Sequence, residues 1–196
     1  EEDASDHPHR LGAPWAHRTL WQIRTCRVCS RHGLALAEIA APSARSAMAD
    51  FHALIGRDPG LISWGPRLVT EGSPLQTYVE ARLNGARSHP FLDAHGLRDA
   101  INVTELIGLV ATRGVNVNHE EAGSATAEQT RAGFEIMTGG AEELLAFLGQ
   151  IASDARRRGM KRFAPRQTFG ALHDFFAGSG PGAAAEPSRS VFRDAV

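Results

Sequence analysis

The chain has 196 residues, of which 42% are hydrophobic and 22% are charged, as in ordinary globular proteins. This length is sufficient for one domain, or two small ones, with a hydrophobic core. Lysine and arginine number 21 against 22 acidic residues, so the overall charge indicates neither a nucleic-acid-binding protein nor a membrane-surface protein. Any contact with DNA would require a local basic patch.

The cysteines and the apolar runs favour a soluble, cytoplasmic protein. Only two cysteines occur, Cys26 and Cys29, which argues against a secreted disulfide framework and for a reducing compartment. No run approaches the ~18 apolar residues of a membrane-spanning helix, and no signal segment opens the chain. Because the chain begins with Glu1 and stops inside a helical pattern that starts at Ser188, we expect both ends to be cut.

The amino-terminal region predicts short strands. Residues 1–18 predict an extended lead-in, since Pro8, Gly12 and Pro14 interrupt any period. Apolar residues between positions 20 and 39 flank a Cys-Ser-Arg-His-Gly turn at 29–33. Their spacing predicts a short strand on each side of that turn.

From residue 43 onward, apolar residues recur three and four positions apart, which predicts a mainly α-helical region that begins with a helix over 44–55. A further helix begins at Ser73, because serine can cap, Pro74 suits the first helical position, and Gln76 can reach back to the Ser73 backbone. Gly85 can end this helix. Its predicted apolar face is formed by Leu75, Tyr78, Val79 and Leu83.

The remaining helices are predicted over 97–113, from Thr126 onward, over 141–158 and over 165–176. Gly114 ends the first, and Thr126 with Gln129 forms a capping box before the second. The third has acidic residues in its first turn and arginines in its last, which complements the helix dipole. The fourth buries Phe169, Leu172, Phe175 and Phe176. We therefore expect a helical domain over 42–176, followed over 177–196 by a linker and the start of a truncated helix.

A pair of potential metal ligands lies in the amino-terminal turn. Cys29 and His32 are separated by two residues, and a Cys-x-x-His turn is half of a tetrahedral zinc site. A structural zinc needs four ligands, and the remaining candidates are Cys26, His7, His9 and His17. Spacing alone leaves open the alternative that both cysteines are small buried residues and that His32 is a surface histidine.

The pattern around this turn runs Trp21, seven residues, Cys29, two residues, His32, Gly33, and then leucines at 34 and 36. It resembles the TniQ family of transposition proteins, in which a tryptophan-containing strand leads into a Cys-Pro-x-His-Gly turn followed by leucines. In that family a Cys-Pro-x-Cys-Leu knuckle precedes the turn. Shorter likenesses are Ser-Pro-Leu-Gln-x-Tyr-Val at 73–79, Gly-Phe-Glu-Ile at 133–136 and Phe-Gly-x-Leu at 169–172.

The resemblance implies that Cys29 and His32 are ligands of a structural zinc and that Trp21 packs beside them, whereas Cys26 has no family counterpart. Ser30 stands where the family usually has proline. The acidic residues 1–3 look like those that follow the family's first knuckle. Residues 1–41 would then be the second half of a zinc-ribbon-like segment, and the zinc site would be incomplete in this chain.

The resemblance also implies a non-catalytic role in DNA transposition for a mobile element. Such an adaptor links DNA or a targeting complex to a transposase and its AAA+ ATPase regulator. The expected partners are therefore DNA, the transposase and the ATPase, with no membrane, and a homodimer is compatible with this role.

One stretch is strongly basic. Between positions 156 and 166 no acidic residue occurs, and the basic residues are Arg156, Arg157, Arg158, Lys161, Arg162 and Arg166. The stretch predicts contacts with DNA phosphates, and the alternative is a solvated helix end and loop. The helices over 141–158 and 165–176 could form a helix-turn-helix with Arg166 and Gln167 at the start of the recognition helix. The intervening loop is longer than the usual three or four residues.

Two other functions stay open: a helix-turn-helix transcriptional regulator, and a small zinc hydrolase. The hydrolase is the weakest, because no His-Glu-x-x-His arrangement is present. His173 and Asp174 are adjacent and are not expected to face one another on a helix. Glu105, Glu120 and Glu121 have no obvious catalytic partners. The glycine-rich segment at 178–182 follows a helix and lacks a phosphate-loop ending, so it is interpreted as linker.

Overall fold

The computed structural model describes residues 19–31, 33–36, 69–159, 164–177 and 185–196. The chain forms two compact units, Glu1–Gly72 and Ser73–Val196. The lead-in predicted at 1–18, the helix predicted at 44–55 and most of the predicted linker lie outside the described residues. Each unit is considered by itself below.

The described part of the first unit centres on an antiparallel β-hairpin. Strand β1, Val28–Cys29, pairs with strand β2, Leu34–Ala35, and Cys29 lies opposite Leu34. The prediction of short strands on both sides of the 29–33 turn is confirmed. Gly33 has a φ of 63°, which is a left-handed conformation that favours glycine, and this conformation closes the turn.

The TniQ pattern implies that Trp21 lies in a strand, and this expectation is wrong. Trp21 belongs to a 3-10 helix, Thr19–Gln22, that precedes β1. The backbone bonds explain this conformation, because Ile23 N–H donates to Leu20 O at 3.1 Å and Cys26 N–H donates to Ile23 O at 2.8 Å. Such bonds three residues apart curl the chain where a strand would extend it.

The second unit is mainly helical, as predicted. Within the described residues it contains eight α-helices and the 3-10 helix His119–Ser124. The α-helices are α1 Pro74–Leu83, α2 Pro90–Asp93, α3 Leu97–Arg113, α4 Ala127–Thr138, α5 Gly140–Arg157, α6 Pro165–Phe169, α7 Ala171–Ala177 and α8 Glu186–Ala195. No helix in the described ranges is both long enough and apolar enough to cross a membrane.

The predicted helix caps are formed by local hydrogen bonds. Ser73 Oγ accepts the Gln76 N–H at 3.1 Å, which caps α1. The predicted return of the Gln76 side chain to the Ser73 backbone is wrong, because that side chain donates to Glu80 at 2.8 Å instead. At α4, Thr126 Oγ1 accepts the Gln129 N–H and Gln129 Oε1 accepts the Thr126 N–H. This reciprocal pair is the predicted capping box.

The predicted apolar face of α1 is right at three positions and wrong at the fourth. Leu75, Tyr78 and Val79 are buried, but Leu83 is 54% exposed. The last turn instead directs Arg82 inward, where its guanidinium lies 2.9 Å from the Asp93 carboxylate. A helical period cannot anticipate this outcome, because it assigns the inward position to the more apolar residue.

Helices α3 and α4 cross with their backbones in close contact. A Cβ atom built on Gly108 of α3 would lie 1.8 Å from Gln129 O, and one on Gly133 of α4 would lie 2.0 Å from Thr104 O. Real Cβ atoms do not approach oxygen so closely. Both positions therefore require glycine, and the central helix α3 is buried along residues 103–110.

The single helix predicted over 165–176 is wrong, because two short helices occupy that segment. Gly170 separates α6 from α7 with a φ of 47° and a ψ of −117°. The break lets the chain dock on Val115, whose carbonyl accepts the Ala171 N–H at 3.0 Å. A Cβ atom on Gly170 would lie 2.1 Å from that same carbonyl. The predicted burial of Phe169, Leu172, Phe175 and Phe176 is confirmed.

The carboxyl-terminal helix α8 packs on the helical unit. Its Phe192 is 4% exposed, and the ring centroid lies 5.2 Å from the centroids of both Phe169 and Phe176. Ala185 and Ser188, at the start of α8, are fully buried. The helix thus begins at Glu186, two residues before the helical pattern that the sequence predicts from Ser188.

Candidate functional site

The predicted metal turn is formed by the hairpin. Cys29 is the last residue of β1, and its carbonyl accepts the Gly33 N–H at 2.7 Å, which closes the turn that contains His32. The Cys29 side chain is buried, as is that of Cys26, and both are thiols, not disulfide partners. His32 itself lies outside the described residues.

The structure thus places one predicted ligand, Cys29, at the end of β1, next to the turn and with its side chain buried. Among the described residues, no group of three or more histidine, cysteine or acidic side chains gathers to hold a metal ion. The described donors therefore do not make up a tetrahedral set, and the zinc site stays a prediction. His7, His9 and His17 also lie outside the described residues.

The basic stretch is partly neutralised by carboxylates that the linear sequence does not place within it. Arg157 forms a salt bridge with Asp154, which lies one turn earlier on α5. Arg166 of α6 places Nε 3.0 Å from Asp174 Oδ1 and Nη2 3.4 Å from Asp174 Oδ2 on α7. Lys161 and Arg162 lie outside the described residues.

Arg166 also affects the ionisation of its partner, Asp174. Desolvation acts to raise the pKa of Asp174, but the hydrogen bond and the charge of Arg166 hold that pKa below its ordinary value. Asp174 is consequently an anion near neutral pH. The prediction that His173 and Asp174 diverge is wrong, since His173 Nδ1 lies 3.6 Å from Asp174 Oδ1. Rotation about the side-chain bonds brings the polar ends together although the Cα–Cβ bonds point apart.

Two arginines of the stretch have no acidic partner among the described residues. Arg156 and Arg158 are exposed at the end of α5, and Arg158 Nε donates to the backbone oxygen of Asp154 at 3.3 Å. That bond uses only one nitrogen of the guanidinium and orients the side chain. Among the described residues of the stretch, these two are therefore the exposed cations that pair with no carboxylate.

A cleft beside this surface is lined by Val115, Asn116, Ala155, Arg158, Gly159 and Gln167. It brings Arg158 from the end of α5 together with Gln167 from α6, two residues that the sequence singles out for DNA contact. Asn116 is a member that the sequence does not indicate, because it reaches the cleft only through docking of Gly170 on Val115. Amide and guanidinium groups of this kind can donate hydrogen bonds to phosphate oxygens or base edges.

The helix-turn-helix geometry is only partly present. Helices α5 and α6 pack together, but α6 ends after five residues and buries Thr168 and Phe169. Arg166 and Gln167 are left on its outer face. A helix of this length cannot extend along the major groove as a recognition helix does.

A buried polar cluster joins α1 to α2. Arg82 Nη1 lies 2.9 Å from Asp93 Oδ1 and donates to Tyr78 Oη at 2.5 Å, and the side chains of Arg82 and Asp93 are 7% and 10% exposed. The other Asp93 oxygen accepts the His89 N–H at 2.9 Å. Burial is the main cause that raises the pKa of Tyr78 to about 12. The cluster is saturated by its own members, so we assign it a structural role.

Comparisons with protein-family models, with curated proteins and with solved structures give no match to this chain. The likeness to TniQ therefore rests on the turn residues Trp21, Cys29, His32 and Gly33 and on the shorter segments quoted with them.

Proposed function

We propose that the chain is part of a non-catalytic DNA-transposition adaptor that resembles TniQ and links DNA or a targeting complex to a transposase and its AAA+ ATPase. The observation that carries the proposal is the hairpin around Cys29. The residue pattern Trp-x7-Cys-x2-His-Gly-Leu-x-Leu in this chain coincides with a tight antiparallel turn, as a zinc knuckle would require.

The proposed zinc would have a structural role in this adaptor. Cys29 and His32 would supply two ligands from the turn, and the resemblance implies that two cysteines of the family's first knuckle would supply the others. When bound, zinc would hold the two halves of the knuckle together, because ligand binding and folding are coupled in small zinc modules.

The ligand role of Cys29 has a matched control in Cys26, a second buried thiol that lies three residues earlier, before β1. In the full-length protein, Cys29→Ser is expected to remove about one equivalent of bound zinc, because serine is a poor substitute for a thiolate ligand. Cys26→Ser is expected to retain the zinc, although it removes a thiol that is equally buried. Cys26 is 4% exposed and Cys29 is 5% exposed. Metal analysis of the purified proteins measures both. Equal zinc in Cys29→Ser and in the parent would end the assignment.

The DNA contact proposed for the adaptor centres on Arg156 and Arg158. Both are exposed, and the carboxylates nearby pair with Arg157 and Arg166 instead. Arg158 also lines the cleft that contains Gln167 and Asn116. The surface thus combines uncompensated positive charge with hydrogen-bond donors, which are the groups that bind the nucleic-acid backbone.

The double variant Arg156→Ala with Arg158→Ala is expected to weaken binding to all DNA sequences alike. It should reduce the slope of log affinity against log salt by about two, since each lost phosphate contact removes a slope of about one. Binding measured over a series of salt concentrations gives this slope. The control is Arg113→Ala, which removes one exposed positive charge that already pairs with Glu121 at 2.7 Å. If the double variant keeps the parental slope, the stretch is a solvated helix end.

The adaptor role is tested by the frequency of insertion of the mobile element. Deleting the gene should abolish directed insertion while the transposase and the ATPase are still produced. If insertion is unchanged and transcription of one operon changes instead, the transcriptional regulator is the better description. The short helix α6 argues against the transcriptional regulator, because it lacks the length of a recognition helix.

A further inference from the structure

Helix α8 is attached to the rest of its unit through a buried histidine. His95, which follows α2, is 3% exposed, and Ser188 on α8 is fully buried. His95 Nε2 lies 2.8 Å from Ser188 Oγ, and the Ser188 N–H donates to the same nitrogen at 3.3 Å. On the other side of the ring, Nδ1 lies 2.9 Å from Phe91 O.

These contacts fix the protonation of the ring. A carbonyl oxygen only accepts, so Nδ1 must carry the proton that it donates to Phe91 O. Nε2 is then the unprotonated nitrogen of a neutral imidazole and accepts from Ser188. The contacts therefore define one tautomer, which is neutral.

The start of α8 depends on this acceptor. The first N–H groups of a helix have no partner within the helix, and a polar side chain at the cap position usually accepts from one of them. Here the cap position holds Ala185, which has no such side chain, and Pro187 has no N–H. The imidazole of His95 supplies the missing acceptor from a distant part of the chain.

Protonation would oppose this arrangement in two ways. A proton on Nε2 would point at the Ser188 N–H, and although the hydroxyl can reverse its role, the backbone N–H cannot. The new positive charge would also face the positive end of the α8 dipole. Desolvation is the main cause that lowers the pKa of His95 from its ordinary value of 6.5.

The charged groups around the ring do not offset these unfavourable effects of protonating His95. Arg82 of α1 donates to His95 O at 3.3 Å, and its charge acts in the same direction as burial. Asp99 of α3 and the hydrogen bonds from the ring act in the opposite direction, without reversing the net lowering. On α8, Glu186 lies 3.9 Å from Arg189 and 3.6 Å from Arg193, so its charge is already shared.

We propose that His95 is a pH-sensitive latch that holds α8 in place while its imidazole is neutral and releases α8 when it is protonated. Release would uncover the surface on which Phe192 packs, including Phe169 and Phe176. The latch is independent of zinc and DNA, so it stands whether or not the adaptor role is correct.

Hydrogen exchange of the α8 amides, corrected for the intrinsic effect of pH, tests the latch in the whole chain. The opening equilibrium of Glu186–Ala195 is expected to be constant above pH 6.5, the ordinary pKa. Below that pH it should rise by up to tenfold for each unit of pH, because the released state takes up one proton more than the docked state. The rise should stop below the lowered pKa of the docked histidine.

Two histidine variants separate the latch from general acid sensitivity. In His95→Gln the amide oxygen can accept from Ser188 without titrating, so exchange of α8 should lose its dependence on pH. In His173→Gln the dependence should persist, although His173 also faces α8 with its ring centroid 6.5 Å from that of Phe192. If exchange in the parent does not change between pH 7 and 5, or if His173→Gln alone removes the change, the latch is refuted. A nuclear magnetic resonance titration of His95 in the parent tests the latch without a variant: an imidazole that titrates at or above 6.5 rules it out.

Discussion

Adding one methyl group to Gly108 is expected to lower the free energy of unfolding by about 3 kcal/mol or more, which is the upper end of the range for overpacked cores. The new Cβ would lie 1.8 Å from Gln129 O, a backbone atom of α4 that cannot turn away as a flexible side chain would. The two helices must separate, and the contacts of the buried helix α3 are lost along its length. Gly133→Ala is expected to behave similarly, because its Cβ would meet Thr104 O.

The control for this prediction is Gly149→Ala on α5, where an added Cβ meets no atom of the described residues within 4 Å beyond its own stretch of helix. That variant is expected to gain about 0.5–1 kcal/mol, since alanine is the better helix former in an exposed position. Chemical denaturation of the three variants and the parent measures the differences. If Gly108→Ala is no less stable than Gly149→Ala, α3 and α4 do not cross at these glycines.

The features that the sequence predicts well are those formed by neighbouring residues. The caps at Ser73 and Thr126 each depend on a partner three residues away, and both form. Gly114 ends α3 with a φ of 85°, as its position after a long apolar pattern predicts. The hairpin around Cys29 is likewise closed by a local bond to Gly33. In each case the deciding energy is local, so a short window of sequence contains it.

The features that the sequence does not predict depend on distant partners. Gly170 ends α6 because it must approach Val115, and nothing in residues 165–176 shows that contact. The sequence also does not show the close helix contact at Gly108 and Gly133, because an isolated glycine within a helical pattern usually indicates only a lower helix propensity. The start of α8 is another example, since its Ser188 N–H donates to His95, which is distant in the sequence.

The sequence predicts which basic residues form the candidate DNA surface, but not how much of their charge is neutralised by acidic partners. Counting along the chain between 156 and 166 finds no acidic residue, yet Asp154 and Asp174 reach Arg157 and Arg166 in space. A helix returns to the same face after one turn, and α7 folds back beside α6, so linear counting overestimates the unpaired charge. Among the described residues of the stretch, the unpaired positive charge therefore lies at Arg156 and Arg158, beside the cleft.

The second large effect is expected at the buried ion pair between α1 and α2. Asp93→Asn should lower the free energy of unfolding by about 3–5 kcal/mol, because it leaves the charge of Arg82 buried without its partner. Glu121→Gln breaks the pair with Arg113, whose side chains are 51% and 43% exposed, and should cost no more than about 1 kcal/mol. Chemical denaturation of both variants at neutral pH compares the two pairs.

Acid should remove the stabilisation by Asp93 in the parent protein. Burial would raise the pKa of Asp93, but the His89 N–H, the Tyr78 hydroxyl and the Arg82 guanidinium outweigh it and lower the pKa below its ordinary 3.8. The folded state therefore binds fewer protons than the unfolded state, and the stabilisation is present above that ordinary value and is lost as the pH falls through the lowered pKa. The difference between the parent and Asp93→Asn should shrink accordingly. In the double variant Arg82→Met with Asp93→Leu much of the stability should return, since replacing both partners by apolar residues leaves no buried charge. A double variant as unstable as Asp93→Asn would show that the hydrogen bonds of this cluster, and not the uncompensated charge, determine how α1 and α2 hold together.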